Sequence, residues 1–144
     1  MNNLDLAQCQ RCAGFNLRRA TRAISRLYDE ILRPSGLQAT QYSLLVTIAV
    51  AGPAPINQIA DLQVMDRTTL TRNLKPLEKK GLIEIMPGED QRTRLVALTD
   101  LGQETLAQAF PLWQQAHTRV TKMLGTDRFN SLLGDLSALV ELAG

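Results

Sequence analysis

Arg72 and its neighbours are the residues of this chain whose types and spacing point most directly to chemistry. They lie in Asp66-Arg67-Thr68-Thr69-Leu70-Thr71-Arg72-Asn73-Leu74-Lys75, a stretch with helical periodicity. At about 100° per residue, Leu70, Leu74 and Leu77 share one stripe, with Arg67 and Asn73 at its edges. The opposite stripe is Thr68, Arg72, Lys75 and Lys79, with Thr71 beside it. That face offers cations and hydrogen-bond donors and no aliphatic residue. An arginine can bond guanine bidentately, and a threonine can serve a phosphate or a thymine methyl. A merely solvated helix face is the competing reading, since charged faces are common. The segment downstream of the helix decides against it.

Gly81 is placed to end that helix, and Leu82-Ile83-Glu84-Ile85-Met86 then reads as a strand. Pro87 to Arg92 is a turn-rich loop, and Thr93 to Leu98 returns as a second strand. Arg92 falls near the tip of this hairpin, where a guanidinium can enter a narrowed minor groove, and Arg94 follows at the start of the returning strand. Asp90 is expected to hold an arginine there by a charge-assisted bond; its other reading is an acidic turn former. Upstream, Ile56 to Gln63 reads as a short helix and Asp66 as the N-cap of the next, accepting from Thr68 or Thr69. Helix, tight turn, basic helix and hairpin together predict a winged helix-turn-helix with Thr68, Thr71, Arg72, Lys75, Asp90, Arg92 and Arg94 at its nucleic-acid surface.

A second candidate chemistry is Cys9-Gln10-Arg11-Cys12, near the start of the first helix. A helix N-terminus and Arg11 both favour thiolate, so a redox role for Cys9 and Cys12 is allowed. A thiol oxidoreductase using the pair is a distant third reading for the chain, because that motif belongs beside a βαβ pattern that is absent here. Zinc needs a ligand cluster, and the chain offers one histidine, His117, far from the cysteine pair. No Gly-x-Ser-x-Gly elbow, phosphate-cradling glycine loop or His-Glu-x-x-His occurs. We expect no enzyme, no metal and no cofactor.

Other elements must position these groups. The 144 residues allow one domain with a real core, and 44% hydrophobic residues argue against disorder. A net charge of +2 is small, so the local clustering of Lys and Arg carries the argument. A helix is predicted from Gln8 to Arg33, with the seam Leu17, Ala20, Ile24, Leu27 and Ile31. Pro34 to Gly36 stops it, and Thr40 is expected to cap a second, buried helix over Gln41 to Val50. After the hairpin, Thr99 or Asp100 should cap a helix reaching Leu124, with a kink at Pro111. Thr126 or Asp127 should cap the last helix, striped by Phe129, Leu132, Leu133, Leu136, Leu139 and Val140. The terminal helices carry more apolar seam than one small lobe can cover, which predicts a two-fold homodimer reading an inverted repeat. With no signal segment or apolar span, the expected location is the cytoplasm, with no membrane partner and reduced cysteines.

Leu70-Thr71-Arg72, Lys80-Gly81-Leu82-Ile83, Asp90-Gln91-Arg92 and Leu98-Thr99-Asp100-Leu101-Gly102, in that order and spacing, resemble the MarR family of bacterial transcription regulators. The resemblance implies a mainly α fold: a single domain over 1-144, with a winged lobe at 37-99 and dimerisation helices at 8-36 and 100-144. It implies a dimeric regulator of double-stranded DNA, more often repressor than activator, released by a small effector or by thiol oxidation. It also implies a pocket between the dimerisation helices and the lobe, for which Phe15, Arg18, Arg19, Arg22, Tyr42 and Trp113 are candidates, with a phenolic or aromatic ligand. The rival reading is a winged-helix protein-interaction module that never touches DNA.

Overall fold

The computed structural model describes residues 3–144. A 3-10 segment over Leu6–Arg11 leads into α1 (Ala13–Leu32), and a second over Arg33–Ser35 leads out of it. The helix expected from Gln8 is thus broken at Cys12, whose extended backbone (φ −66°, ψ 127°) starts α1 afresh. Next comes α2 (Ala39–Ala51), begun one residue before the expected Thr40 cap. Gln38 is the cap instead, its N–H donating to the Gln41 side chain at 3.0 Å. Tyr42, Leu44, Leu45 and Ile48 are buried around α2, as its all-round apolar sequence requires.

A two-residue strand, β1 (Ala54–Pro55), precedes α3 (Ile56–Leu62) and α4 (Arg67–Lys79). The tight turn between the two helices is closed by Met65 N–H to Ala60 O (2.9 Å) and Val64 N–H to Asp61 O (3.1 Å). Val64 sits there at φ +53°, where glycine is the usual occupant. Leu70, Leu74 and Leu77 are at most 1% exposed. Each leucine so buried contributes roughly 2 kcal/mol relative to exposure. α4 runs through Pro76 to Lys79 as one helix. Gly81, at φ +77°, ends it: its N–H donates to Glu78 O and that of Leu82 to Leu77 O.

β2 (Ile83–Pro87) and β3 (Arg94–Leu98) pair antiparallel, with Ile85 opposite Val96 and Pro87 opposite Arg94. β1 lies on the far side of β3, so the expected hairpin is part of a three-stranded sheet. Two residues are too few for a readable strand pattern. The Thr99 hydroxyl then joins two elements. It donates to Gly81 O at 2.6 Å and accepts from Gly102 N at 3.0 Å, capping α5 (Asp100–Leu124). Gly102 is required at that crossing, because a Cβ there would overlap the Leu82 carbonyl.

Finally, α6 (Thr126–Val140) is capped by Gly125 rather than by Thr126 or Asp127. The core occupies the lobe formed by α2, α3, α4 and the sheet, reached from outside by Leu32 and Ala109. α6 buries no residue. No helix among the described residues is long and apolar enough to cross a membrane. The fold is mainly α, a winged helix-turn-helix flanked by helices from both ends of the chain.

Candidate nucleic-acid interface

Asp66 fixes the start of α4. Its carboxylate accepts from Thr69 N–H at 2.7 Å and from the Thr69 hydroxyl at 3.0 Å. Those bonds hold the carboxyl below its ordinary range. With the leucine stripe packed inward, Thr68, Thr71, Arg72 and Lys75 are all exposed. Together with Arg67 they line one shallow groove along the outer face of α4. The arrangement offers cationic and hydroxyl donors along a single helix face, which is what backbone positioning and base reading both use.

The wing supplies the second part. Gly88 N–H donates to Thr93 O at 2.7 Å, and Gln91 N–H to Gly88 O at 3.0 Å, with Gln91 at φ +58°. Asp90 sits inside this turn. Its carboxylate accepts from the backbone N–H of Thr93 (2.8 Å) and Arg92 (3.2 Å) and from the Thr93 hydroxyl (2.9 Å). The Thr93 bonds do most to hold its carboxyl below the ordinary pKa, with a smaller part from Arg92. Asp90 thus acts as the turn former of the two readings, holding Arg92 by its main chain and Thr93 by both its main chain and hydroxyl rather than bonding a guanidinium. The arginine side chain stays exposed at the tip, and Arg94 is exposed at the first position of β3. Thr93 is a member of this turn that periodicity did not single out; the Asp-x-x-Thr spacing, the same as Asp66 to Thr69, is the signal that carries it.

The candidate effector residues separate into two groups. Tyr42 on α2 and Trp113 on α5 approach with ring centroids 6.5 Å apart. Both line a groove of about 510 Å³ between α2 and α5, with Val46, Leu106 and Phe110. Trp113 also stacks on Phe110 (5.7 Å) and His117 (4.6 Å). Burial raises the Tyr42 hydroxyl above its usual pKa, which favours the protonated form. Phe15, Arg18, Arg19 and Arg22 do not line that groove and are exposed along α1. Periodicity places a residue on a helix face but not against a particular neighbour, which is why the expected set does not stay together.

Cys9 and Cys12 are exposed free thiols one 3-10 turn apart, Cys12 N–H donating to Cys9 O at 3.1 Å. The N–H groups of Phe15 and Gly14 hold the Cys12 thiol below its ordinary value, with a smaller contribution from Arg18. The helix start acts as expected, but the assisting cation is Arg18 rather than Arg11. Among the described residues, no group of three or more His, Cys, Asp or Glu side chains gathers in one place.

Residues 37–94 match the MarR family. The uncharacterized HTH-type transcriptional regulator YwoH of Bacillus subtilis is 34% identical over 83 residues, an overlap covering 58% of this chain and 61% of that protein. The multiple antibiotic resistance protein MarR of Salmonella typhimurium is 34% identical over 109 residues, covering 74% of this chain and 76% of that protein. Among solved structures, the Mycobacterium tuberculosis transcriptional regulator MosR in complex with DNA superposes with a TM-score of 0.82 at 36% identity. That likeness covers 92% of this chain and 96% of the other.

Proposed function

This chain belongs to the MarR family of transcription regulators, and from that premise we propose a homodimer that binds an inverted-repeat operator in double-stranded DNA and acts as a repressor. The observation that carries the reading is the exposed face of Thr68, Thr71, Arg72 and Lys75 beside a wing that ends in Arg92. In it, α4 lies in the major groove and Arg92 enters the adjacent minor groove. Support comes from the MosR structure, a relative of the same fold held on DNA. The dimer is formed by α1, α5 and α6, whose exposed apolar residues include Phe15, Ile24, Met123 and Leu133, with Leu142 just beyond α6.

Selection of bound sequences from random duplexes tests the reading. We expect an enriched inverted repeat, bound with an affinity that falls steeply as salt displaces phosphate contacts. No enrichment, with a flat salt response, would favour the protein-interaction module.

Release from DNA is assigned to a flat aromatic or phenolic molecule in the groove between α2 and α5. Tyr42, Phe110 and Trp113 supply ring faces there, and the Tyr42 hydroxyl a polar handle. Such a ligand acts only through unequal affinity for the DNA-bound and free states.

Cys12 favours a second trigger, since it is exposed and the N–H groups at the start of α1 lower its thiol below the ordinary value, which raises the share of thiolate. A hydroperoxide would oxidise that thiolate to sulfenic acid, its O–O bond breaking to release hydroxide or, from an organic peroxide, alkoxide. The Cys9 thiol then displaces water from the sulfenic acid to close a disulfide. Alkylation of the reduced protein should modify Cys12 before Cys9, and peroxide should weaken operator binding in the native chain but not in Cys12→Ser. Unchanged affinity after peroxide would remove the redox trigger and leave the DNA reading intact.

A further inference from the structure

We infer that Arg67 is an additional base-reading residue and that Asn57, on a different helix, positions it. The inference rests on the DNA-binding reading and adds to its contact surface. Arg67 opens α4 directly after the Asp66 cap and is exposed. It starts the row Arg67, Thr71, Lys75, spaced four apart and therefore on one side of the helix. It shares its groove with Thr68, Thr71, Arg72 and Lys75. The N-terminal residues of a recognition helix are those that meet base edges.

An exposed arginine ordinarily samples many rotamers, and ordering it opposes binding. Here the guanidinium is held before DNA arrives: its Nη1 donates to Asn57 Oδ1 at 3.3 Å. Asn57 is the second residue of α3, and α3 is fixed against α4 through Ile59, Leu70 and Leu74 in the common core. A guanidinium carries five N–H donors in a planar fork. The Asn57 bond occupies one of them and leaves the edge formed by Nε and Nη2 free. That edge suits two parallel bonds to O6 and N7 of a guanine. On the sequence alone Arg67 falls at the margin of the leucine stripe, so its role depends on this contact between helices.

The experiment uses the full chain and the duplex obtained by selection, with affinity measured by fluorescence anisotropy on that duplex and on a scrambled one. Arg67→Lys keeps the charge and removes the fork. It should lower operator affinity about 10-fold or more and relax the base preference at one position per half-site. Its affinity for scrambled duplex should hold. Asn57→Ala should lower operator affinity about 2- to 10-fold, through the ordering it no longer provides. It should have no further effect in the Arg67→Lys background, the mark of two groups acting as one unit. Retained affinity and base preference in Arg67→Lys, or effects of the two replacements that multiply independently, would overturn the inference. If the native chain enriches no duplex at all, the DNA-binding reading itself fails, and the two failures are told apart by that control.

Discussion

At Arg72, a single replacement distinguishes base reading from phosphate contact. Arg72→Ala should cost about 1–3 kcal/mol of specific binding if the guanidinium meets a base edge, with relaxed preference at that position. A loss shared equally by all duplexes would instead mark a phosphate contact. Asp66 and Asp90 make a different prediction, because both carboxyls are held below their ordinary value by bonds to Thr69 and Thr93. The stability they supply is complete above the unfolded carboxyl value of about 3.9 and is lost as pH falls from there through the depressed native value. Urea midpoints should therefore drop on acidification below about pH 4. Asn at both positions keeps an oxygen acceptor but no longer titrates, so the drop should become shallower. The Asp66 cap was legible from sequence because capping is local. At Asp90 the sequence left two readings open, a bond to a guanidinium and an acidic turn former, and the turn geometry, which puts backbone N–H groups within reach first, decides for the second.

Between elements, Gly102 is the most exacting position. Gly102→Ala must push the start of α5 away from the Leu82 carbonyl, and overpacking of this kind costs about 1–3 kcal/mol. Thermal unfolding should register it as a clear fall in midpoint, and an unchanged midpoint would show that the crossing can relax. How far elements could be read ahead depends on the range of the forces involved. The leucine stripe of α4, the glycine exit at Gly81 and both wing strands are set by periodicity and local turn chemistry, and all were readable. The break at Cys12 was not, because the stretch holds no proline and its one glycine, Gly14, a weak helix former, lies inside α1 rather than at the break. Nor was β1, which exists only because β3 offers it a free edge. Val64 in a left-handed turn runs against its own side chain, and tertiary closure between α3 and α4 decides it.

For the molecule as a whole, the unmet demand is apolar cover. Leu133 is 46% exposed, Met123 83% and Leu142 84%, all on helical segments that flank the lobe. Light scattering at micromolar concentration should report a dimer. Leu133→Lys combined with Leu142→Lys should give a folded monomer with greatly reduced operator affinity, since paired half-sites then lose their shared binding. A native chain that stays monomeric would sink that expectation. The sequence showed the surplus seams, while the aromatic floor of Tyr42, Phe110 and Trp113 took shape only once α2 and α5 were set side by side. The Thr99 hydroxyl has a last consequence. By bridging Gly81, just past the end of α4, and Gly102 in the first turn of α5, it ties the exit of one rod to the head of another. If the chain pairs on DNA as proposed, that rivet sets how firmly the two reading heads keep their distance, and Thr99→Val, which keeps the side chain's shape but removes the hydroxyl, should weaken discrimination between operators of different half-site spacing while leaving affinity for a single half-site unchanged.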